Sequence, residues 1–171
     1  GVGKDISERK KMEKISSRFG QILNDSFNEI YLFDSATLHF VLVNQGARQN
    51  LGYTQEELRE LTPLDLKPEF NMAQFEALIE PLRRRTISMI VFETVHKRKD
   101  GSLYPVEVRL HLSHDETPPL FVAIIQNITE RKQAEIALRE AKSELETQVE
   151  QRTAELQSSN ELLKKEIAEH I

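Results

Sequence analysis

The residues best suited to chemistry near neutral pH in this 171-residue chain are its five histidines, His39, His96, His111, His114 and His170. His111 and His114 lie near the end of one strand-like run and His96 on the run before it. A metal site would need all three to converge, and scattered surface histidines are the commoner outcome of such spacing. His170, next to Glu169, would serve as a phosphoacceptor only within a longer kinase helix, and otherwise takes a solvated position. Cysteine and tryptophan are absent, which removes disulfides, thiol nucleophiles and cysteine zinc sites. The 28 acidic residues exceed the 23 lysines and arginines for a net charge of −5, yet no carboxylate pair stands in a catalytic setting. Nucleophile motifs, phosphate loops and metal signatures are also missing, so this stretch does not read as an enzyme.

The charge balance disfavours phosphate polymers as partners. Two basic runs, Arg83-Arg84-Arg85 and His96-Lys97-Arg98-Lys99, lack the interleaved aromatics of a nucleic-acid platform and read as a solvated helix end and a hairpin edge. No apolar run is long enough to span a bilayer and no leader opens the chain, so the expectation is a cytoplasmic segment without direct membrane contact. With 30% charged and only 6% aromatic residues, part of the chain must be helix with little core of its own.

Several elements must position whatever these residues do. Met12, Ile15, Phe19, Ile22, Leu23 and Phe27 recur at helical spacing over residues 7–27, with Ser7 placed to cap that helix. Residues 28–34 and 40–43 are short, β-branched and aromatic, a hairpin pattern. Asn44 can cap a helix that Gly52 stops, and Thr54 with Glu57 forms a capping box. Pro63 and Pro68 then break the chain before a helix over 71–85. Residues 87–99 and 103–113 flank Asp100-Gly101, a strong hairpin signal. The apolar run 119–128 suits a central strand. From Thr129, the expected cap, residues 130–171 contain neither Gly nor Pro and predict one helix of about 63 Å. The expected architecture is α+β: a five-stranded antiparallel sheet with short helices on one face and long helices at both ends.

Asn44, Leu51-Gly52-Tyr53-Thr54, Glu56-Glu57-Leu58, Arg98-Lys99-Asp100-Gly101-Ser102, Pro105-Val106-Glu107-Val108 and Ile128-Thr129-Glu130-Arg131-Lys132 follow one another in an order that resembles a PAS domain. The resemblance divides the chain into residues 1–27, the tail of a preceding PAS-like repeat with its leading helix, a sensor domain over 28–128, and a signalling helix over 129–171. It implies a bacterial sensory module that couples a ligand, or the state of an upstream domain, to a histidine kinase or diguanylate cyclase output. A ligand-free relay is the alternative, and part of a kinase catalytic unit a more remote one. Haem-binding relatives carry a histidine on the helix before the last three strands, and residues 71–85 have none. Without cysteine, the cysteinyl–flavin chemistry of photosensing relatives is excluded. Redox sensing with a bound flavin stays open, though the lack of tryptophan disfavours it, and otherwise a small organic ligand or none is expected.

If a ligand is bound, its expected walls are Ile30, Leu32, Phe75, Leu78, Phe92, Val106, Val108 and Ile124, and the same residues serve equally as plain core. An internal repeat supports the tandem reading: Asp5-Ile6-Ser7-Glu8-Arg9-Lys10 parallels Asn127-Ile128-Thr129-Glu130-Arg131-Lys132, although two independently capped helices would leave a similar trace. Asp5, Ser7 and Arg9, and in the second copy Asn127, Thr129 and Arg131, are the expected couplers of strand to helix. In the second copy Asn127 replaces the family's usual aspartate, which leaves a neutral-to-charged hydrogen bond to Arg131. Along the last helix Leu138, Leu145, Val149, Leu156, Asn160, Leu163 and Ile167 form a seam suited to a parallel homodimeric coiled coil, with Asn160 favouring two strands. The other reading of the seam is a solvated or self-packing helix.

Overall fold

The computed structural model of the chain describes residues 2–170, which fall into two units divided after Thr129. In the first unit α1 (Val2–Asn24) leads to β1 (Glu29–Asp34) and β2 (Phe40–Val43). Short helices α2 (Gln45–Leu51), α3 (Gln55–Arg59), α4 (Pro63–Leu66) and the longer α5 (Met72–Arg83) follow, then β3 (Ile90–Lys97), β4 (Leu103–Ser113) and β5 (Leu120–Asn127). The strands form one antiparallel sheet in the order β2-β1-β5-β4-β3. The apolar run 119–128 thus supplies a central strand, as its composition demands.

Local chemistry sets most boundaries. The Asn44 side chain accepts from Ala47 N to open α2, and Gly52 closes it at φ 80°, a left-handed conformation that glycine adopts without a Cβ clash. Thr54 and Glu57 form the reciprocal capping box that opens α3. Pro63 starts α4 rather than breaking the chain. A proline at the first helical position gives up an N–H that has no partner there anyway, and Asp65 accepts from Thr62 N at 2.7 Å. Asn71 caps α5, whose Phe75, Ile79 and Leu82 recur on the buried stripe.

The register fixes which side chains share a face. Tyr31 lies opposite Ala123 and Phe33 opposite Phe121, while Val108 lies beside Ile125 on β5 and Phe92 on β3. These residues, with Phe40, Val106 and Leu110, meet the stripe of α5 and Leu51, Leu58 and Leu66 of the shorter helices in one core. Phe33 stacks on Phe121 at 5.1 Å, and Phe70 meets Phe75 and Phe92 edge-on.

The opposite face of β1 and β5 carries Ile30, Leu32, Val122 and Ile124 and borders the C-terminal half of α1. Asn44 Nδ2 donates to Leu23 O at 2.9 Å, and Gln45 N donates to Asn24 Oδ1 at 2.9 Å, so the end of α1 is tied to the start of α2. Gly46 is required there, because a Cβ would stand 2.8 Å from the Ser26 carbonyl oxygen.

The second unit is a single helix, α6 (Thr129–Glu169), whose first residue closes the first unit and which has no buried residue. Its 41 residues span about 60 Å.

Candidate functional site

The inner sheet face buries a polar cluster beside the apolar core. Glu29, the first residue of β1, accepts from the Tyr31 hydroxyl and from Asn50 Nδ2, and Tyr104 Oη lies 3.0 Å from both of its carboxylate oxygens. Arg98 donates from Nε to Asn50 Oδ1 at 3.1 Å and lays its guanidinium 4.1 Å from the Tyr104 ring centroid. Burial pushes the Glu29 carboxyl up, against the pull of those hydrogen bonds and the Arg98 charge, and raises both tyrosines.

Lys67, in the link between α4 and α5, is buried with its Nζ 2.9 Å from His96 Nε2 on β3. Loss of water lowers the lysine to about 7 against the opposing pull of Glu29. His96 is held well below its ordinary value by burial first and by Lys67 second. With the lysine donating, Nε2 accepts and the ring proton resides on Nδ1, a buried atom with no partner among the described residues. His96 also stacks on Tyr31 at 6.0 Å and meets Tyr104 edge-on at 5.8 Å.

The free space beside this cluster is small. A cavity of about 10 Å³ lies between Lys67, Tyr31, Phe75, Phe92 and Val108, about enough for one water. Neither a haem nor a flavin fits there.

The side chains expected to line one pocket occupy two faces of the sheet. Phe75, Val106 and Val108 are core residues, and Leu78 and Phe92 pack against that core. Ile30, Leu32 and Ile124 point the other way and line a slot of about 600 Å³ between the sheet and α1, together with Leu42 and Val122. The β1 parity that the sequence suggested is therefore inverted: Glu29, Tyr31 and Phe33 face inward. The basic run His96-Lys97-Arg98-Lys99 does lie on the edge strand and its hairpin, with Lys97 and Lys99 exposed, but it is not solvated throughout. Strand alternation buries His96, Arg98 covers Tyr104, and Lys99 pairs with Glu57 at 2.6 Å.

Asp5, Ser7 and Arg9 all lie exposed within α1, which starts at Val2. Ser7 therefore does not cap a helix, and no strand-to-helix corner separates Asp5 from Arg9, because nothing between Val2 and Ser7 interrupts the helix. Thr129 is likewise the first residue of α6 rather than its cap. The capping oxygen is Asn127 Oδ1, which accepts from Thr129 N at 3.0 Å and Thr129 Oγ1 at 2.6 Å. Ile128 is buried, and its N–H donates to Pro105 O at 3.0 Å, fastening the last turn of chain before the helix to β4. Arg131 lies 3.8 Å from Glu135 within α6. Leu138, Leu145, Val149, Leu156, Leu163 and Ile167 are exposed along that helix, as is Asn160.

Residues 23–130 match the family model of the PAS domain. The chain belongs to the PAS domain family and is a sensor domain of the kind used in signalling proteins. It is 26% identical to the PAS domain of an HTR-like protein from Haloarcula marismortui, with a TM-score of 0.62 over 71% of this chain and 98% of that one. A domain of a sensory box sensor histidine kinase/response regulator from Geobacter sulfurreducens shares the fold at 19% identity, with a TM-score of 0.58 over 68% of this chain and 96% of that one. Over 138 residues the chain is 25% identical to the methyl sulfide methyltransferase-associated sensor of Methanosarcina acetivorans, covering 81% of this chain and 14% of that relative's length.

Proposed function

We propose that this PAS domain is a relay and dimerisation module that carries the state of an upstream segment to an output unit and performs no reaction of its own. The observation that carries this reading is the contrast between a filled interior and an unfilled rod. The core leaves about 10 Å³ beside Lys67, which favours relay of an upstream state over an interior ligand. No residue of α6 is buried, and beyond Lys132 every one whose burial is described is exposed; a helix of that length with an apolar stripe gains its stability from a partner.

In this reading two copies pair through α6 in parallel, and the sheet, fastened to the start of α6 through Ile128 and Asn127, biases how the pair is oriented. The output would be a histidine kinase or diguanylate cyclase unit in the cytoplasm. The kinase choice draws support from the sensor histidine kinase domain that shares the fold.

Sedimentation equilibrium tests the pairing. The chain is expected to be dimeric at micromolar concentration, and Leu156→Asp with Leu163→Asp is expected to make it monomeric while the thermal transition of residues 23–130 is retained. A wild-type chain that stays monomeric over a hundredfold concentration range would overturn the reading.

A further inference from the structure

The slot between α1 and the outer face of the sheet has features that an incidental groove lacks. Its walls are apolar, with Ile30, Leu32, Leu42, Val122 and Ile124 on the sheet and Leu23 on α1, and its volume of about 600 Å³ lies in the range of small-molecule sites. Six polar side chains also line it, among them Arg48 of α2 and Gln55 of α3. Arg48 Nε and Gln55 Nε2 are buried donors with no partner among the described residues. The Gln55 carbonyl oxygen is already used by Val43 N at 3.3 Å, which fixes the amide so that its donor end is the one left over. None of the lining residues is acidic, so the guanidinium has no counter-ion within the slot.

Donors buried without acceptors are costly, and a guanidinium beside an apolar wall calls for an anion with an apolar body. The neighbouring polar group, Asn44, is by contrast saturated: its oxygen accepts from Ile30 N and Ala47 N, and its amide donates to Leu23 O and Asn28 O. Among the side chains that line the slot, the orphan donors are those of Arg48 and Gln55. Gly20 adds a second indication. It sits within α1, four residues before its last residue Asn24, where glycine weakens a helix by roughly 1 kcal/mol against alanine, and it lines the slot with no atom within 4 Å of where its Cβ would stand.

We propose that this slot binds a small amphiphilic carboxylate, with its charged end at Arg48 Nε and Gln55 Nε2 and its apolar tail along Ile30, Leu32 and Ile124. A ligand held there touches α1 and the sheet together, so its arrival would tie the leading helix to the body of the domain. The site lies on the opposite sheet face from Lys67 and His96. It does not depend on α6 pairing, so either proposal can fail alone.

The test is a methyl-resolved NMR titration of the chain with octanoate and, separately, octanol. Octanoate is expected to bind saturably, to shift the methyl groups of Ile30, Leu32, Leu42 and Ile124, and to leave those of Val108 and Leu110 in place. Octanol, which lacks the anion, is expected to bind at least tenfold more weakly. Arg48→Met should weaken octanoate by at least tenfold, and Gly20→Leu, which favours the helix and fills the slot, should abolish binding without lowering the melting temperature. Absence of saturable binding, equal affinity for octanoate and octanol, shifts confined to the core methyls, or undiminished binding in either variant would each overturn the proposal.

Discussion

On the inner face of the sheet Tyr31, Phe33, Phe121 and Val108 lie against the helices with a cavity of about 10 Å³ left beside them, whereas on the outer face Ile30, Leu32, Leu42 and Ile124 border a slot of about 600 Å³. Both faces are apolar, so hydrophobicity alone does not distinguish them. The difference lies in what covers each. Four helices cap the inner face with a volume-matched set of side chains, while the outer face meets one helix that buries none of its own residues. A face packed to density transmits displacement, and a face left open can accept something.

The comparison is broken most forcefully by truncating the core. Phe75→Ala is expected to destabilise the domain by about 3–5 kcal/mol, because Phe75 is fully buried and its neighbours cannot collapse onto the void. A loss below about 1 kcal/mol in denaturant midpoints would show that the interior is looser than its cavity volume implies.

A smaller effect, of opposite sign, is expected from Lys67→Met. The lysine binds its proton less tightly in the folded chain, at about 7 against 10.5, so between those values the unfolded state holds more protons and wild-type stability rises with pH. Below about 7 both states are protonated and the burial cost is present in full. Lys67→Met should therefore stabilise the domain by a few kcal/mol at pH 6.5, and its advantage should shrink by up to about 1.4 kcal/mol per pH unit toward pH 9.5. Chemical denaturation at the two pH values checks this, and an advantage independent of pH would show that the lysine is not buried as a cation. The smallest change is expected on the other face. Leu42 is 47% exposed, and Leu42→Ala should cost less than about 1 kcal/mol.

Much of this was legible before the structure, for reasons that differ by region. Asn44, Gly52, Thr54 with Glu57, and Asp100-Gly101 act through bonds to their own neighbours in the chain, so their sequence spacing is their geometry. The parity of β1 was not legible. Ile30 and Leu32 are as apolar as Tyr31 and Phe33, because α1 shelters the outer face, and the reading that points Ile30 inward also spares Glu29 from burial. The structure buries Glu29 because Tyr31, Asn50 and Tyr104 reach it from three separate elements, a convergence that only the register reveals.

Lys67 was hidden by its place between Pro63 and Pro68, which reads as loop. His96 was hidden by the basic residues after it, although strict alternation with Thr94 and Phe92 was a signal available for placing it inside. Arg48 and Gln55 gave no sign at all, since two polar residues on short helices are ordinary until their donors are found buried without acceptors.

The most direct measurement of the contrast between the two faces is methyl NMR of the chain under xenon, which enters apolar voids of sufficient size without needing a polar anchor. A closed interior beside an open outer slot requires xenon-dependent shifts at Ile30, Leu42 and Ile124 and none at Val108, Leu110 and Ala123. Shifts at the second set with the first unmoved would contradict it.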